Sequence, residues 1–123
     1  MATIAISTWN DRVSPVFDEA SRLLVIKAGA EGDDSRFETD ISEHFPSSKI
    51  MRLNELGVDV LICGAISGQF AYMVRNSGIE LIPWISGQVD DVFNAYLKGN
   101  LFDAKYLMPG HPDYGRRESG HGL

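Results

Sequence analysis

The second half of the chain alternates apolar runs of strand length with amphipathic segments of helical spacing, and this alternation restricts the fold more than any other feature. Val58–Cys63 is apolar throughout except at Asp59, which is typical of a central strand buried on both faces. The segment from Gln88 to Lys98 has one apolar face, formed by Val89, Val92, Phe93, Tyr96 and Leu97. Strands that alternate with helices run parallel through right-handed crossovers. The sequence therefore predicts an α/β protein.

The first half predicts three strands joined by local connections. These strands are Thr3–Ser7, Arg22–Ala28 and Arg36–Ile41. Pro15 interrupts any ladder between the first two, because proline has no backbone N–H to donate. The polar segment Gly29–Asp34 is predicted to connect the second and third strands as a hairpin. Local connections of this kind predict antiparallel pairing.

Serine and glycine residues mark the predicted ends of three helices, with a further strand at Ile79–Ile85. The caps and stops, in chain order, are Ser47 or Ser48, Gly57, Ser67, Gly78, Ser86 and Gly99. The element order is β-β-β-α-β-α-β-α, which predicts a mixed β-sheet flanked by helices and resembles the ribonuclease-H-like layout. We expect one domain over residues 1–108. The tail starts near Leu101, and residues 109–123 are predicted to be flexible because they are polar and rich in glycine.

Composition excludes several classes of function. The 123 residues carry a net charge of −6, which opposes binding to nucleic acid or to anionic membrane. Apolar runs are strand-sized, so none is expected to span a bilayer. Cys63 is the single cysteine, which excludes an intrachain disulfide. Met1–Ile4 shows no secretory signal, so we expect a cytoplasmic protein.

Three predicted loops converge at the carboxyl ends of the parallel strands, where open α/β sheets bind ligands. They are Thr8–Phe17, Gly64–Gly68 and Trp84–Gly87. Loops that enter helix N-termini carry free backbone N–H groups and favour an anion. The alternative is that these serines only cap helices and these glycines only permit turns. The candidate binding residues are Trp9, Asn10, Ser14, Phe17, Cys63, Gly64, Ala65, Ser67, Trp84, Ser86 and Gly87.

Cys63 is the candidate metal ligand, because a thiol at a helix N-terminus can favour the thiolate form. The alternative is that it packs in the core as a small apolar residue. His44 is expected in a solvated loop, while His111 and His121 lie in the tail, where weak metal binding stays open. No phosphate-binding loop or catalytic triad is present, and the strands lack the convergent carboxylates of a two-metal nuclease.

Three segments, taken together, carry a family resemblance. They are Val13–Phe17 followed by Ala20, Ile62–Ser67, and Gly78–Val92 with its Pro83-Trp84-Ile85-Ser86-Gly87 core. In order and spacing they resemble the dinitrogenase iron–molybdenum cofactor biosynthesis family, which includes NifX, NafY and the C-terminal domain of NifB. The likeness spans roughly Thr3 to Met108. It implies a ribonuclease-H-like fold and a non-enzymatic protein.

Members of this family bind or carry anionic metal–sulfur clusters, and orange-protein-type relatives hold a molybdenum–copper sulfide cluster. The resemblance therefore implies a metal–sulfur cluster of the iron/molybdenum or molybdenum/copper type as the bound group. Such an anionic cluster suits a cradle of backbone N–H groups.

The chain departs from the family pattern at two positions, and the first departure favours the stand-alone branch. Nitrogenase-linked members typically have a histidine before the motif phenylalanine, where this chain has Val16. Stand-alone relatives often carry a cysteine after Met-Pro-Gly, where this chain has His111. The leading hypothesis is a carrier of an anionic metal–sulfur cluster or its precursor. The alternative is an adaptor for another protein, such as a metal-trafficking ATPase.

Overall fold

The computed structural model describes residues 2–27, 34–42 and 45–111. It contains one mixed sheet, as predicted. The strands are β1 (Thr3–Trp9), β2 (Arg12–Val13), β3 (Arg22–Lys27), β4 (Ser35–Asp40), β5 (Val60–Ile62) and β6 (Glu80–Ile82). The main order is β4-β3-β1-β5-β6, and β2 pairs with β1. The first three predicted strands correspond to β1, β3 and β4, and their predicted antiparallel pairing is confirmed.

The parallel half of the sheet is also confirmed, since β1 pairs in parallel with β5 and β5 with β6. The three helices are α1 (Pro46–Glu55), α2 (Gly68–Asn76) and α3 (Val89–Lys98). Side chains alternate between the two faces of β1. Ala5 belongs to the core layer that includes residues of α1 and α2. Ile4 and Ile6 belong to the opposite layer, which includes residues of α3.

The predicted start of α1 is wrong, while the predicted start of α2 is confirmed. Phe45 is the N-cap of α1 and Pro46 is its first residue, because the fixed φ of proline suits a first helical turn. Ser47 and Ser48 therefore lie inside the helix. At α2, the hydroxyl of Ser67 accepts a hydrogen bond from the backbone N–H of Phe70 at 3.3 Å.

The last parallel strand is shorter than predicted, and the predicted N-cap of α3 is wrong. β6 ends at Ile82 rather than Ile85, because Pro83 has no N–H and Trp84 has a φ of +64°. Helix α3 begins after Gln88, not after Ser86, and its N-cap makes no side-chain hydrogen bond. Val89, Val92 and Phe93 are buried as predicted, whereas Tyr96 is half-buried and Leu97 is exposed.

The chain does not leave the domain near Leu101, which corrects the predicted start of the tail. Leu101 and Leu107 are buried. Ile85 and Leu107 form an isolated antiparallel bridge, and Met108 donates a backbone hydrogen bond to Trp84 at 3.0 Å. The ordered segment therefore extends the fold past α3. Residues 112–123, with the rest of the predicted tail and His121, lie outside the described residues, as does His44.

In the described ranges, no helix is long and apolar enough to cross a membrane.

Candidate functional site

The three loops predicted to converge are joined by backbone hydrogen bonds. Phe17 donates to the carbonyl of Ala65 at 2.7 Å, and Ala65 donates back to Pro15 at 2.8 Å. Val13 donates to the carbonyl of Gly87 at 2.9 Å. The loop after β1 is thus fixed against the loop after β5 and against the entry to α3. This contact brings together residues from distant parts of the sequence.

Gly64 is required at this junction by close backbone packing. A Cβ atom at this position would lie 2.4 Å from the carbonyl oxygen of Ser14 and 2.5 Å from that of Pro15. Side chains cannot occupy such distances, so only glycine lets the two loops approach this closely. Ser14 itself is buried, and its backbone N–H donates to the carbonyl of Ser7 at 2.8 Å.

The predicted anion site depends on free backbone N–H groups at the N-termini of helices, and some of these groups already have a hydrogen-bond partner. Oδ1 of Asp18 accepts a hydrogen bond from the Ser67 N–H at 3.0 Å, and the Ser86 N–H donates to the carbonyl of Tyr106 at 2.7 Å. At the first turn of α2, the amides of Gly68 and Gln69 have no partner within the described part of the chain. The helix dipole therefore favours an anion there, but a carboxylate already lies beside it.

The neighbouring surface is accessible, and we call it the α2 rim. It consists of Val16, Ala65, Ser67 and Gly68. Val16 pairs with Ala65 in a parallel bridge and is 37% exposed. The residue before the motif phenylalanine is therefore held next to the N-terminus of α2. Phe17, by contrast, is buried and contacts the ring of Phe70 edge-on at 5.5 Å between centroids.

Cys63 lies in the core layer of α1 and α2 and is fully buried. Burial is the main cause that raises the pKa of its thiol, and the negative charge of Asp18 contributes. The thiolate expected from the nearby helix N-terminus is therefore disfavoured. A ligand role for Cys63 stays a prediction that would require the core to open.

Ser7 is also fully buried, and its hydroxyl has no partner in the described ranges.

A buried lysine, which the sequence analysis did not single out, anchors the loop after β1. Lys49 is 2% exposed. Its ammonium donates to the carbonyl oxygens of Phe17, Asp18 and Ala20 at 3.3, 3.2 and 2.8 Å. It also lies 5.4 Å from the centroid of the Phe17 ring. The only available signal was its place on the apolar face of α1, four residues before Leu53.

Trp84 contacts the junction of the loops through its backbone, whose N–H donates to the carbonyl of Gly64 at 2.9 Å. Its side chain lines a cavity of about 570 Å³ that lies against β6, α3 and the segment after α3. We call this cavity the β6 groove. It is also lined by Phe102 and His111, and by none of the other predicted binding residues. The structure thus places Trp84 at the edge of a second surface, which the remaining candidates do not line.

Trp9 and Asn10 lie at the outer end of β1. The side chain of Trp9 is 60% exposed, and Asn10 has a φ of +51° in a tight turn that leads to β2. Gly87 has a φ of +132°, a conformation that side chains rarely adopt. In the part of the chain that the structure describes, no group of three or more His, Cys, Asp or Glu residues is placed to hold a metal ion.

The fold is similar to solved structures at low sequence identity. The apo orange protein from Desulfovibrio gigas has a TM-score of 0.68 and 21% identity, over 87% of this chain and 96% of that chain. A proposed dinitrogenase from Methanocaldococcus jannaschii has a TM-score of 0.63 and 22% identity, over 80% and 90% of the two chains. A proposed NifB protein from Thermotoga has a TM-score of 0.63 and 19% identity, over 90% and 100%.

Comparison with curated proteins gives no match. The family model described as dinitrogenase iron-molybdenum cofactor matches residues 1–99, which include every segment of the loop junction and all three helices. This chain therefore belongs to the dinitrogenase iron–molybdenum cofactor family.

Proposed function

We propose that this protein is a non-enzymatic accessory protein that carries an anionic metal–sulfur cluster, or its precursor, as cargo on the α2 rim. Family membership supports a role related to the iron–molybdenum cofactor. The observation that carries the proposal is the bridge between Val16 and Ala65, which holds the position before Phe17 at the N-terminus of α2. The cargo that we propose is a cluster of the iron/molybdenum or molybdenum/copper type. We also propose that the protein acts in the cytoplasm.

The rim favours weak, reversible retention rather than tight ligation. The amides of Gly68 and Gln69, which have no partner among the described residues, attract an anion, whereas the carboxylate of Asp18 and the net charge of −6 oppose one. The exposed Val16 offers no donor atom to a metal. A carrier must release its cargo, and this balance of attraction and repulsion suits transfer.

A gain-of-function substitution tests the proposal. The protein is mixed without oxygen with a probe prepared from tetrathiomolybdate and copper(I), and desalted. Bound molybdenum and copper are then measured. The native protein should retain both metals, and Val16→His should retain about tenfold more at limiting probe, because imidazole is a good copper ligand. Leu97→His is the control, since Leu97 is exposed on α3 away from the rim.

Cargo binding at the rim would be contradicted by two results together. The native protein would retain neither metal, and Val16→His would retain no more metal than Leu97→His. These results would favour the alternative, an adaptor for a protein such as a metal-trafficking ATPase. Pull-down of a purified candidate ATPase by the native protein, with Trp9→Ala as the variant that removes the largest exposed ring, then tests the adaptor hypothesis.

A further inference from the structure

The β6 groove lies at the other end of α2 from the rim and is not used by the proposed cargo site. Its volume of about 570 Å³ falls within the range of small-molecule pockets, about 300–1,000 Å³. Its walls include the rings of Trp84, Tyr96 and Phe102. Arg75, Glu80 and His111 also line the groove. Aromatic walls with a small number of polar groups are typical of small-molecule sites.

Trp84 is held in place before any ligand arrives. Its φ of +64° is unusual for a bulky residue and costs free energy that the surrounding contacts must offset. Its backbone N–H donates to Gly64 at 2.9 Å, and its carbonyl accepts from Met108 at 3.0 Å. A Cβ atom at Gly110 would lie 2.5 Å from Cε3 and Cζ3 of the indole. The ring is thus supported on one side by backbone and is pre-organised.

The charged groups of the groove select the ligand further. Arg75 lines the groove and has no ion-pair or hydrogen-bond partner among the described residues, whereas Arg22 and Arg36 are paired with carboxylates at 2.8 and 2.7 Å. A guanidinium that no described carboxylate pairs with, beside an apolar wall, favours an acidic group on the ligand. Glu80 also lines the groove, and its negative charge disfavours a second acidic group.

Tyr96 contributes a neutral hydroxyl to the same groove. Burial, followed by the negative charge of Glu80, raises the pKa of its phenol. The hydroxyl therefore stays protonated at neutral pH and can donate a hydrogen bond to a ligand acceptor.

A strand from another protein is disfavoured as the occupant, although β6 is an edge strand. Pro83 has no N–H, and β6 contains only three residues. An added strand needs a row of backbone donors and acceptors along the edge. The groove therefore offers too few of them for pairing by an extended peptide.

We propose that the β6 groove binds a flat aromatic molecule that carries a single acidic group, with its ring against the aromatic side of the groove that contains Trp84 and Phe102 and its acid at Arg75. This site is separate from the α2 rim and does not depend on cluster binding. The proposal is tested with 8-anilinonaphthalene-1-sulfonate, which has a flat ring system and one sulfonate.

The measurement is energy transfer from Trp84 to the bound probe, in a Trp9→Phe background that leaves one tryptophan. Binding should saturate at one probe per chain. Phe102→Ala should weaken it by about 5- to 10-fold, whereas Leu97→Ala should leave it unchanged. Phe102 and Leu97 are 58% and 56% exposed. Both variants therefore remove an exposed apolar side chain, and they differ in whether that side chain lines the β6 groove.

Charge recognition is tested separately with Arg75→Gln. This variant should weaken binding of the sulfonate probe by about 3- to 5-fold and leave binding of the uncharged N-phenyl-1-naphthylamine unchanged. Binding that does not saturate, or that falls equally in Phe102→Ala and Leu97→Ala, would overturn the site. Equal loss of both probes in Arg75→Gln would overturn the acidic specificity. Val16→His should bind the sulfonate probe normally, so failure here is distinguishable from failure of the cargo proposal.

Discussion

The side chain of Asp18 holds Ser67, the N-cap residue of helix α2, because its Oδ1 accepts the hydrogen bond of the Ser67 N–H at 3.0 Å across 49 residues of sequence. The carboxylate occupies the position that an incoming anion would prefer, because the positive end of the helix dipole lies there. It therefore has two expected effects, on stability and on cargo binding.

Asp18→Ala should lower the free energy of unfolding by about 0.5–2 kcal/mol, because it leaves the Ser67 amide without its partner. Asp18→Asn keeps an acceptor oxygen and should cost less. Both variants should retain more of the molybdenum–copper probe than the native protein, since a competing negative charge is removed. Urea unfolding and metal analysis measure the two effects.

Glu19→Gln is the control for net charge, because Glu19 is a neighbouring exposed residue. An equal gain in metal retention in that variant would contradict a specific role for Asp18.

Glycine at position 64 should be irreplaceable, whereas glycine at position 68 should not. Gly64→Ala places a Cβ atom against two carbonyl oxygens and should destabilise the protein by about 3 kcal/mol. Gly68→Ala meets no atom within 4 Å and should stabilise the protein by about 0.5–1 kcal/mol, because alanine is the better helix former. Thermal unfolding of the two variants gives the comparison, and a similar effect of both would contradict the close packing of the loops.

Phe93 should be the most sensitive position of α3. It is buried against the sheet, and the guanidinium of Arg36 lies 5.3 Å from its ring centroid. Phe93→Ala should lower the free energy of unfolding by about 3–5 kcal/mol. Leu97→Ala, on the exposed side of the same helix, should change it by no more than about 0.5 kcal/mol. Denaturant titration distinguishes the two, and a small effect at Phe93 would show that the α3 layer is loosely packed.

The Cys63 thiol should be unreactive in the native protein and should make stability depend on alkaline pH. Burial raises the pKa of the thiol in the folded state above its value in the unfolded chain. The unfolded chain therefore loses this proton first, and the free energy of unfolding should fall as pH rises above about 8.5. Cys63→Ala should remove this part of the pH dependence. Urea midpoints at several pH values test the expectation.

Alkylation gives an independent measure of the same burial. Iodoacetamide should modify Cys63 on the order of a hundredfold more slowly in the native protein than in urea. Rapid native modification, with the fold retained, would place the thiol at the surface and revive its role as a metal ligand.

Periodicity alone determined most of the architecture. The apolar run Val58–Cys63 and the amphipathic segment around Phe93 are local patterns, and burial of an apolar face follows from them because only a sheet or helix of the right period removes such a face from water. The sequence determined the ends of the helices less well. Ser67 and Ser86 have the same capping chemistry, but only Ser67 is used, because α3 begins at Val89 and Ser86 lies two residues before its N-cap, Gln88.

What only the tertiary structure decided depends on contacts between residues far apart in sequence. The Asp18–Ser67 hydrogen bond, the carbonyl partners of Lys49 and the place of Trp84 in the lining of the β6 groove all have no local signal. Hydrogen bonds and close packing depend on distances of a few ångströms, and the sequence pattern fixes which face a residue occupies but not which distant atom it meets there. The family and the fold were therefore readable from the sequence, whereas the occupied amides and the separate β6 groove became visible only once the chain was folded.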